Sequence, residues 1–389
     1  LDGQVDDRIP PMSTPPPHRQ SQDVSVDIAI GRAISHHMLV DFAVLSEEER
    51  RMLTWNLKNV EYALGANVQD LSMMYWDIDD RHAFEGDHVL LRQGYSTVVE
   101  HLHRLLDQRG DRFRCELEFK VGRVEYNRKS STASYFGTED TGRKFIELSD
   151  TCCVSSEDGT RRVKCDFLVS TVPLGVLKAS ISDDSRKSGI SFEPELPFVK
   201  RDAIESVGFG LLNKVYLQFP FPFWRRNNIL APGQTQFGNA SGVHPHHYMF
   251  LDVGEALGLQ CGESSVLMSL ISGREAASCE VMTNDAVVGE IMETLRTLFS
   301  QIDVPDPLAV KITNWGSDNF SRGSYTYLAP GSTDQDFETL QSPLNGNGDS
   351  VLLEKSETMR LFFAGEHTTA LHPSMAHGAM RKFVYIRAR

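Results

Sequence analysis

Leu361-Phe362-Phe363-Ala364-Gly365-Glu366-His367-Thr368 is an apolar run that stops at a glycine and meets a carboxylate at once. With Met359-Arg360 in front it reads as a buried strand, and the small-residue run Ala376-His377-Gly378-Ala379-Met380 just beyond it can start a helix. Strand, glycine, acid and helix N-terminus in that order suit a polyol and an anionic ring. Glu366 can accept hydrogen bonds from a sugar-like chain, and backbone N–H groups near Met375 and Ala376 direct a helix dipole at developing negative charge. On this motif alone, a Glu366 that only caps the next turn is an equal reading.

Working outward, Cys165 to Thr171 is a second apolar run, closed by Pro173, and reads as another buried strand. Asn213 to Phe219 alternates instead: Val215, Leu217 and Phe219 share one face, Lys214, Tyr216 and Gln218 the other. The polar face looks into a cavity or out to solvent. A lysine on the cavity side can serve as a base or water-holder, because burial disfavours its charged form; an exposed strand lysine is the plainer reading.

Ser46-Glu47-Glu48-Glu49 forms a capping box, and Leu53, Leu57, Val60 and Leu64 follow at helical spacing up to Gly65, which predicts a helix over about 46–64. A second amphipathic helix is expected after Gly94-Tyr95 (Val98, Leu102, Leu105 on one face), and a third carries Val287, Ile291, Leu295 and Leu298. LNGNGDS at 344–350 reads as a loop, and no period repeats. The whole is a mixed α/β (α+β) chain with interleaved elements.

The 389 residues, 40% hydrophobic and 24% charged, suffice for two domains with real cores. A formal net charge of −14 argues against a general nucleic-acid binder and favours a basic partner or cationic substrate. Cys115, Cys152, Cys153, Cys165, Cys261 and Cys279 show no CxxC spacing, which points to a reducing compartment. No stretch is long and apolar enough for a membrane span. Residues 1–25, rich in Pro, Ser and charge, are expected to be disordered, and the chain reads as a fragment incomplete at both ends. Neither His244-Pro245-His246-His247 nor His367, His372 and His377 has zincin spacing, so no metal site is expected.

Trp315, Phe320, Tyr325 and Tyr327 crowd around Arg322-Gly323-Ser324; they are either core packing or a cage whose π faces hold a methylated ammonium. Trp76-Asp77-Ile78-Asp79-Asp80, continuing to Glu85 and Asp87, is acidic enough to hold a basic peptide, against the default of a solvated loop. A dinucleotide fingerprint is missing: Gly208-Phe209-Gly210 lacks its third glycine and precedes a strand.

The ordered blocks WNLKNVEYALGAN (55–67), YWDIDD (75–80), FEGDHVLLRQGYS (84–96), STVPLGVLK (170–178), GFGLLNKVYLQF (208–219), RGSYTYLAPGS (322–332) and FFAGEHT (362–368) resemble the lysine-specific histone demethylase branch of the flavin amine oxidases. The resemblance implies a Rossmann-like FAD-binding domain interleaved with an amine-oxidase substrate domain. Residues 26–83 and 211–333 would be the substrate domain, 84–210 and 334–389 the FAD domain. It implies that Lys214 lies near flavin N5 through a water, and that Tyr325 and Trp315 belong to the substrate cage. Glu366 would bind the ribityl chain, with Gly365, Met375 and Ala376 also at the flavin and the Val121 backbone at the adenine. Asn59, Asp77, Asp79 and Asp80 would line a histone-tail cleft.

The implied activity is FAD-dependent oxidation of mono- or dimethylated lysine on histone H3, in the nucleus and within a chromatin complex, yielding formaldehyde and hydrogen peroxide. Its alternatives are a polyamine oxidase and a chromatin-binding pseudoenzyme or inactive truncated product. Three departures stand out: no GxGxxG segment, His372 where relatives often carry an aromatic, and a final helix degenerating into RKFVYIRAR. Without the glycine turn, this stretch alone is expected to bind FAD weakly or not at all.

Overall fold

Ser46 caps the helix whose boundaries the sequence marks at both ends. Its Oγ accepts from the Glu49 N–H at 3.2 Å while its own N–H donates to Glu49 Oε2 at 2.8 Å, so both partners of the box are satisfied. The helix α2 (Glu47–Leu64) then runs to Gly65, whose φ of 65° is the left-handed stop the sequence predicts. The computed structural model describes residues 23–37, 45–78, 90–129, 150–183, 189–228, 230–231, 233–240, 247, 249–259, 264–345 and 359–387. Residues 1–22 of the Pro-rich segment lie outside these. Residues 23–25 are paired: Ser25 bridges Ser72, the Ser72 hydroxyl donates to Asp23 at 2.6 Å, and helix α1 (Val26–His37) follows.

Four sheets carry the described strands. Strands β1 (Val121–Lys129), β2 (Asp150–Ser156), β3 (Arg162–Cys165) and β5 (Ser191–Glu193) form one, in the order β3-β2-β1-β5. The second is β13 (Leu344–Asn345), β14 (Met359–Phe363) and β4 (Leu168–Ser170), with β14 parallel to β4 in the register Leu361 to Leu168. The two apolar runs singled out in the sequence are thus neighbours; β14 is almost wholly buried, whereas β4, at the sheet edge, is only half-buried and the Phe167 before it is 55% exposed, so the second run is not the buried strand the sequence suggests. Helices α4 (Leu174–Ile181), α5 (Phe198–Ser206) and α9 (Asp334–Gln341) lie in this part of the chain, and Leu174, Leu177, Ala203, Ile204, Phe337 and Phe363 share one core with β1.

The third sheet, β11-β7-β10-β9-β8, joins Ala309–Ile312, Leu212–Gln218, Val266–Ser272, Met249–Asp252 and Gln236–Gly238. In β7 the alternation is as read: Val215, Leu217 and the following Phe219 are buried. They pack with α8 (Asn284–Leu298), whose Val287, Ile291 and Leu295 are fully buried; α6 (Val253–Ala256) and α7 (Gly273–Glu280) border the same sheet. The last sheet pairs β6 (Val207–Gly210) with β12 (Tyr325–Leu328), and α10 (Ala376–Arg387) closes the described chain.

Helix α3 (Ser96–Asp107) forms where predicted but buries none of its residues. Val98, Leu102 and Leu105, the residues of its apolar face, are 41%, 42% and 45% exposed.

Candidate functional site

Glu366 sits where three segments meet. Its Oε2 accepts from Thr326 Oγ1 at 2.6 Å, from Thr326 N at 3.3 Å and from Ser374 N at 2.9 Å, while the Ser374 hydroxyl returns to the Thr326 carbonyl. Strand β12, the end of β14 and the entry to α10 are thereby tied together. Every one of these bonds to the carboxylate uses Oε2, and the side chain keeps 20% exposure. Burial still pushes the carboxyl above its usual range, though the three donors oppose the shift, so a further donor at Oε1 would relieve the desolvation. The reading of Glu366 as a mere cap for the next turn covers only its bond to Ser374.

The backbone around it is specified closely. Gly365 has a φ of 148°, and a Cβ there would lie 2.5 Å from the His367 ring. His367 is buried, and burial, aided by the Lys200 charge, drops it to about 4, so it stays neutral near pH 7. Lys200 donates to the carbonyls of Thr339, Leu340 and Ser342 at 2.8–3.0 Å and lies 4.0 Å from the centre of the Phe363 ring, pinning the C-terminal end of α9 to β14. At the far side of the acid, Met375 immediately precedes α10; its carbonyl accepts from Ala379 N, and both Met375 and Ala376 are exposed. The first N–H groups of α10 have no carbonyl inside their own helix to bond.

Tyr325 neighbours Thr326 on β12 and pairs with Gly210 on β6. Its hydroxyl donates to the Tyr62 carbonyl at 2.9 Å and burial raises its pKa, so the ring is fixed and protonated. Gly65 makes room for it: a Cβ there would be 3.2 Å from the tyrosine ring. Tyr327, two residues on, is buried over Gly208 and belongs to a core with Val26, Ala66, Val68 and Leu71. Of the four clustered aromatics, then, Tyr327 is packing, whereas Trp315 and Phe320 are 42% and 64% exposed.

Lys214 is half-buried on β7, one residue from Asn213, which is buried. Asn213 Oδ1 accepts from Trp315 N and from Thr313 Oγ1, both at 3.1 Å, and its Nδ2 donates to Glu280 at 2.6 Å. Glu280 in turn accepts from the N–H groups of Gly316 and Ser317. This brace holds the Trp315 loop beside the lysine strand.

Other sequence candidates are dispersed. Asn59 is half-buried on α2, Asp77 is exposed in the turn after Leu71, and Val121 opens β1 in another sheet. Asp79, Asp80, Glu85, Asp87, Cys261, His244 and residues 346–350 of the predicted loop lie outside the described residues. Among the described residues no group of three or more His, Cys, Asp or Glu is gathered to hold a metal; His372 and His377 stack edge-on at 4.8 Å, and Arg381 meets His372 Nε2. Thr326, Ser374, Asn213 and Glu280 were missed. Asn213 did carry a signal: it shares the parity of Val215 and Leu217, so it is a polar residue on a buried face and needs partners.

Comparison with known proteins gives the family and the fold. The sequence pattern of the family described as Flavin containing amine oxidoreductase matches residues 32–382. Lysine-specific histone demethylase 1 homolog 1 of Oryza sativa subsp. japonica is 34% identical over 91% of this chain and 35% of its own length. The possible lysine-specific histone demethylase 1 of Drosophila melanogaster is 31% identical over 86% of this chain and 34% of its own length. The chain thus spans about a third of the curated relatives it matches. In structure, putrescine oxidase bound to putrescine superposes with a TM-score of 0.62 at 19% identity, covering 94% of this chain and 68% of that one, a likeness of fold.

Proposed function

The chain belongs to the flavin containing amine oxidoreductase family, and on that premise we propose that the protein it comes from oxidises mono- and dimethylated lysine on histone H3 with FAD. The observation that carries the reading is the Glu366 knot beside β12: a largely buried carboxylate whose three bonds all fall on Oε2, adjoining the strand that bears Tyr325. Its Oε1, which takes none of those three bonds, can accept from the hydroxyls of a polyol. Glu366, Gly365 and the N–H groups after Met375 and at Ala376 would hold the ribityl and ring end, and the Val121 backbone the adenine. Residues 84–210 and 334–389 would form the FAD domain and 26–83 with 211–333 the substrate domain.

When bound, FAD supplies the two-electron acceptor for the N-methyl C–H bond. Lys214 would hold a water between itself and the flavin. Water hydrolyses the resulting imine to formaldehyde and lysine, and dioxygen carries the electrons away as hydrogen peroxide. The π faces of Trp315 and Tyr325 attract the ammonium form on entry, Tyr325 being oriented by its bond to the Tyr62 carbonyl. Asn59, Asp77, Asp79 and Asp80 receive the basic tail, which accords with a net charge of −14. Oxidation needs an amine lone pair, so trimethyl-lysine is excluded. The names of the relatives support histone as substrate and hence a nuclear, chromatin-associated setting.

Anaerobic mixing of the full-length protein, in excess FAD, with dimethyl-lysine H3 peptide tests this. Bleaching of the flavin band with dimethyl but not trimethyl peptide supports the proposal. Bleaching by spermine alone would make the protein a polyamine oxidase, and peptide binding with no bleaching a chromatin-binding pseudoenzyme. Lys214→Met should slow bleaching by orders of magnitude while peptide affinity holds.

A further inference from the structure

Cys152 on β2 and Cys165 on β3 stand directly opposite one another in an antiparallel pair. Residues so placed have Cα atoms about 4.5–5.5 Å apart, inside the roughly 4.4–6.8 Å that a disulfide spans. Both are free thiols here; Cys152 is fully buried in the core around β1, and Cys165, half-buried, packs against that core. The neighbouring Cys152 thiol lowers Cys165 to about 7, while the same contact and burial push Cys152 up. The sulfur nearer to solvent therefore holds the thiolate near neutral pH, with a protonated thiol as its immediate neighbour.

The neighbouring cysteine marks the contrast. Cys153 is next along β2, so it points to the other face, where it lies opposite Lys164 and beside the Arg162 guanidinium. Cys279 is buried in the other core and is pushed up to about 12 by burial, with acidic neighbours adding to the shift.

We propose that Cys152 and Cys165 form a peroxide-sensitive dithiol that closes to a cross-strand disulfide. The proposal rests on the function above only for the origin of the oxidant, since hydrogen peroxide is the co-product of that reaction. The Cys165 thiolate attacks one peroxide oxygen, the O–O bond breaks, and the departing hydroxide takes a proton to become water, leaving a sulfenic acid. The Cys152 sulfur then displaces the hydroxyl from Cys165, forming the S–S bond, and the second water carries off the Cys152 proton. Two thiols are oxidised by two electrons and one peroxide is reduced to two waters. The change reaches the flavin side of the molecule, because the Cys152 thiol also lies 3.7 Å from the Arg360 carbonyl on β14, the strand that delivers Gly365 and Glu366.

Titrating the reduced full-length chain with added hydrogen peroxide, then alkylating and mapping non-reduced peptides by mass spectrometry, decides it. The expected first product is a linked Cys152–Cys165 peptide, two hydrogens lighter than its reduced parts and reversed by dithiothreitol, with a formation rate that climbs through neutral pH. Cys153→Ser should leave the link intact, and Cys165→Ser should abolish it. If peroxide consumes exposed Cys115 first, or links Cys153 instead, or yields no link, the proposal is overturned. The wild-type map decides even if Cys165→Ser does not fold. Because the peroxide is supplied directly, a linked peptide in a protein that bleaches with no amine leaves the dithiol standing, and bleaching without a link leaves the oxidase standing.

Discussion

Helices α8 and α3 carry equally clear apolar stripes in the sequence, yet their fates differ. On α8, Val287, Ile291 and Leu295 are at most 1% exposed beneath the five-stranded sheet, whereas on α3 Val98, Leu102 and Leu105 all exceed 40%. Period 3.6 says which face of a helix is apolar and nothing about what covers it. A helix gains most of its stability from that covering, so the two should differ in energy as much as in exposure.

The sharpest way to break this contrast is to place the same charge on both stripes. Leu295→Asp buries a carboxylate among phenylalanines and isoleucine and should cost several kcal/mol, on the order of enough to abolish the cooperative thermal transition. Leu102→Asp should move it by less than about 0.5 kcal/mol. Equal damage from both would mean that the α3 face is covered in solution.

Acid sharpens it next. His367 takes its proton at about 4 when folded, against 6.5 ordinarily. Between those values the unfolded chain binds more protons, so this contribution is full above about 6.5 and is lost as pH falls toward 4; at about 1.36 kcal/mol per unit it amounts to roughly 3 kcal/mol. Urea midpoints across that range should fall with pH, and His367→Gln should flatten the slope. Amides of α3, which has no buried residue to uncover, should exchange quickly with solvent hydrogen at either end of the range.

A smaller effect is expected at Asn213→Ala, which leaves the Trp315 N–H and Glu280 short of a partner; about 1–3 kcal/mol should appear in denaturant unfolding. The smallest is Ser46→Ala. Removing that cap should cost α2 about 1 kcal/mol, read from the same unfolding curves.

What the sequence made legible follows the same division. The α2 box and its Gly65 stop, the parity of β7 and the existence of β4 and β14 were readable because each is a local rule acting on consecutive residues, whereas the parallel pairing of those two strands was not. The Glu366 knot was half-readable: the acid and the helix start were visible, but Thr326 was not, since its partner lies 40 residues away. Tyr327 could not be told from Tyr325 by pattern, because the two share a strand and a parity. Only the placement of Gly208 and of the Ala66-Val68-Leu71 segment sends one ring into the core.

The length of those separations also bears on how the protein is made. Thr326, Glu366 and Ser374 come together across 40 and 48 residues of chain. Closing such loops costs entropy that no local contact returns, so the acid's cradle is assembled only once β12 and β14 are both in place. A cofactor held there grips finished molecules alone and withdraws them from the unfolding equilibrium. In a cell, supply of the vitamin-derived cofactor would then set how much of the protein survives turnover as well as how much of it is active.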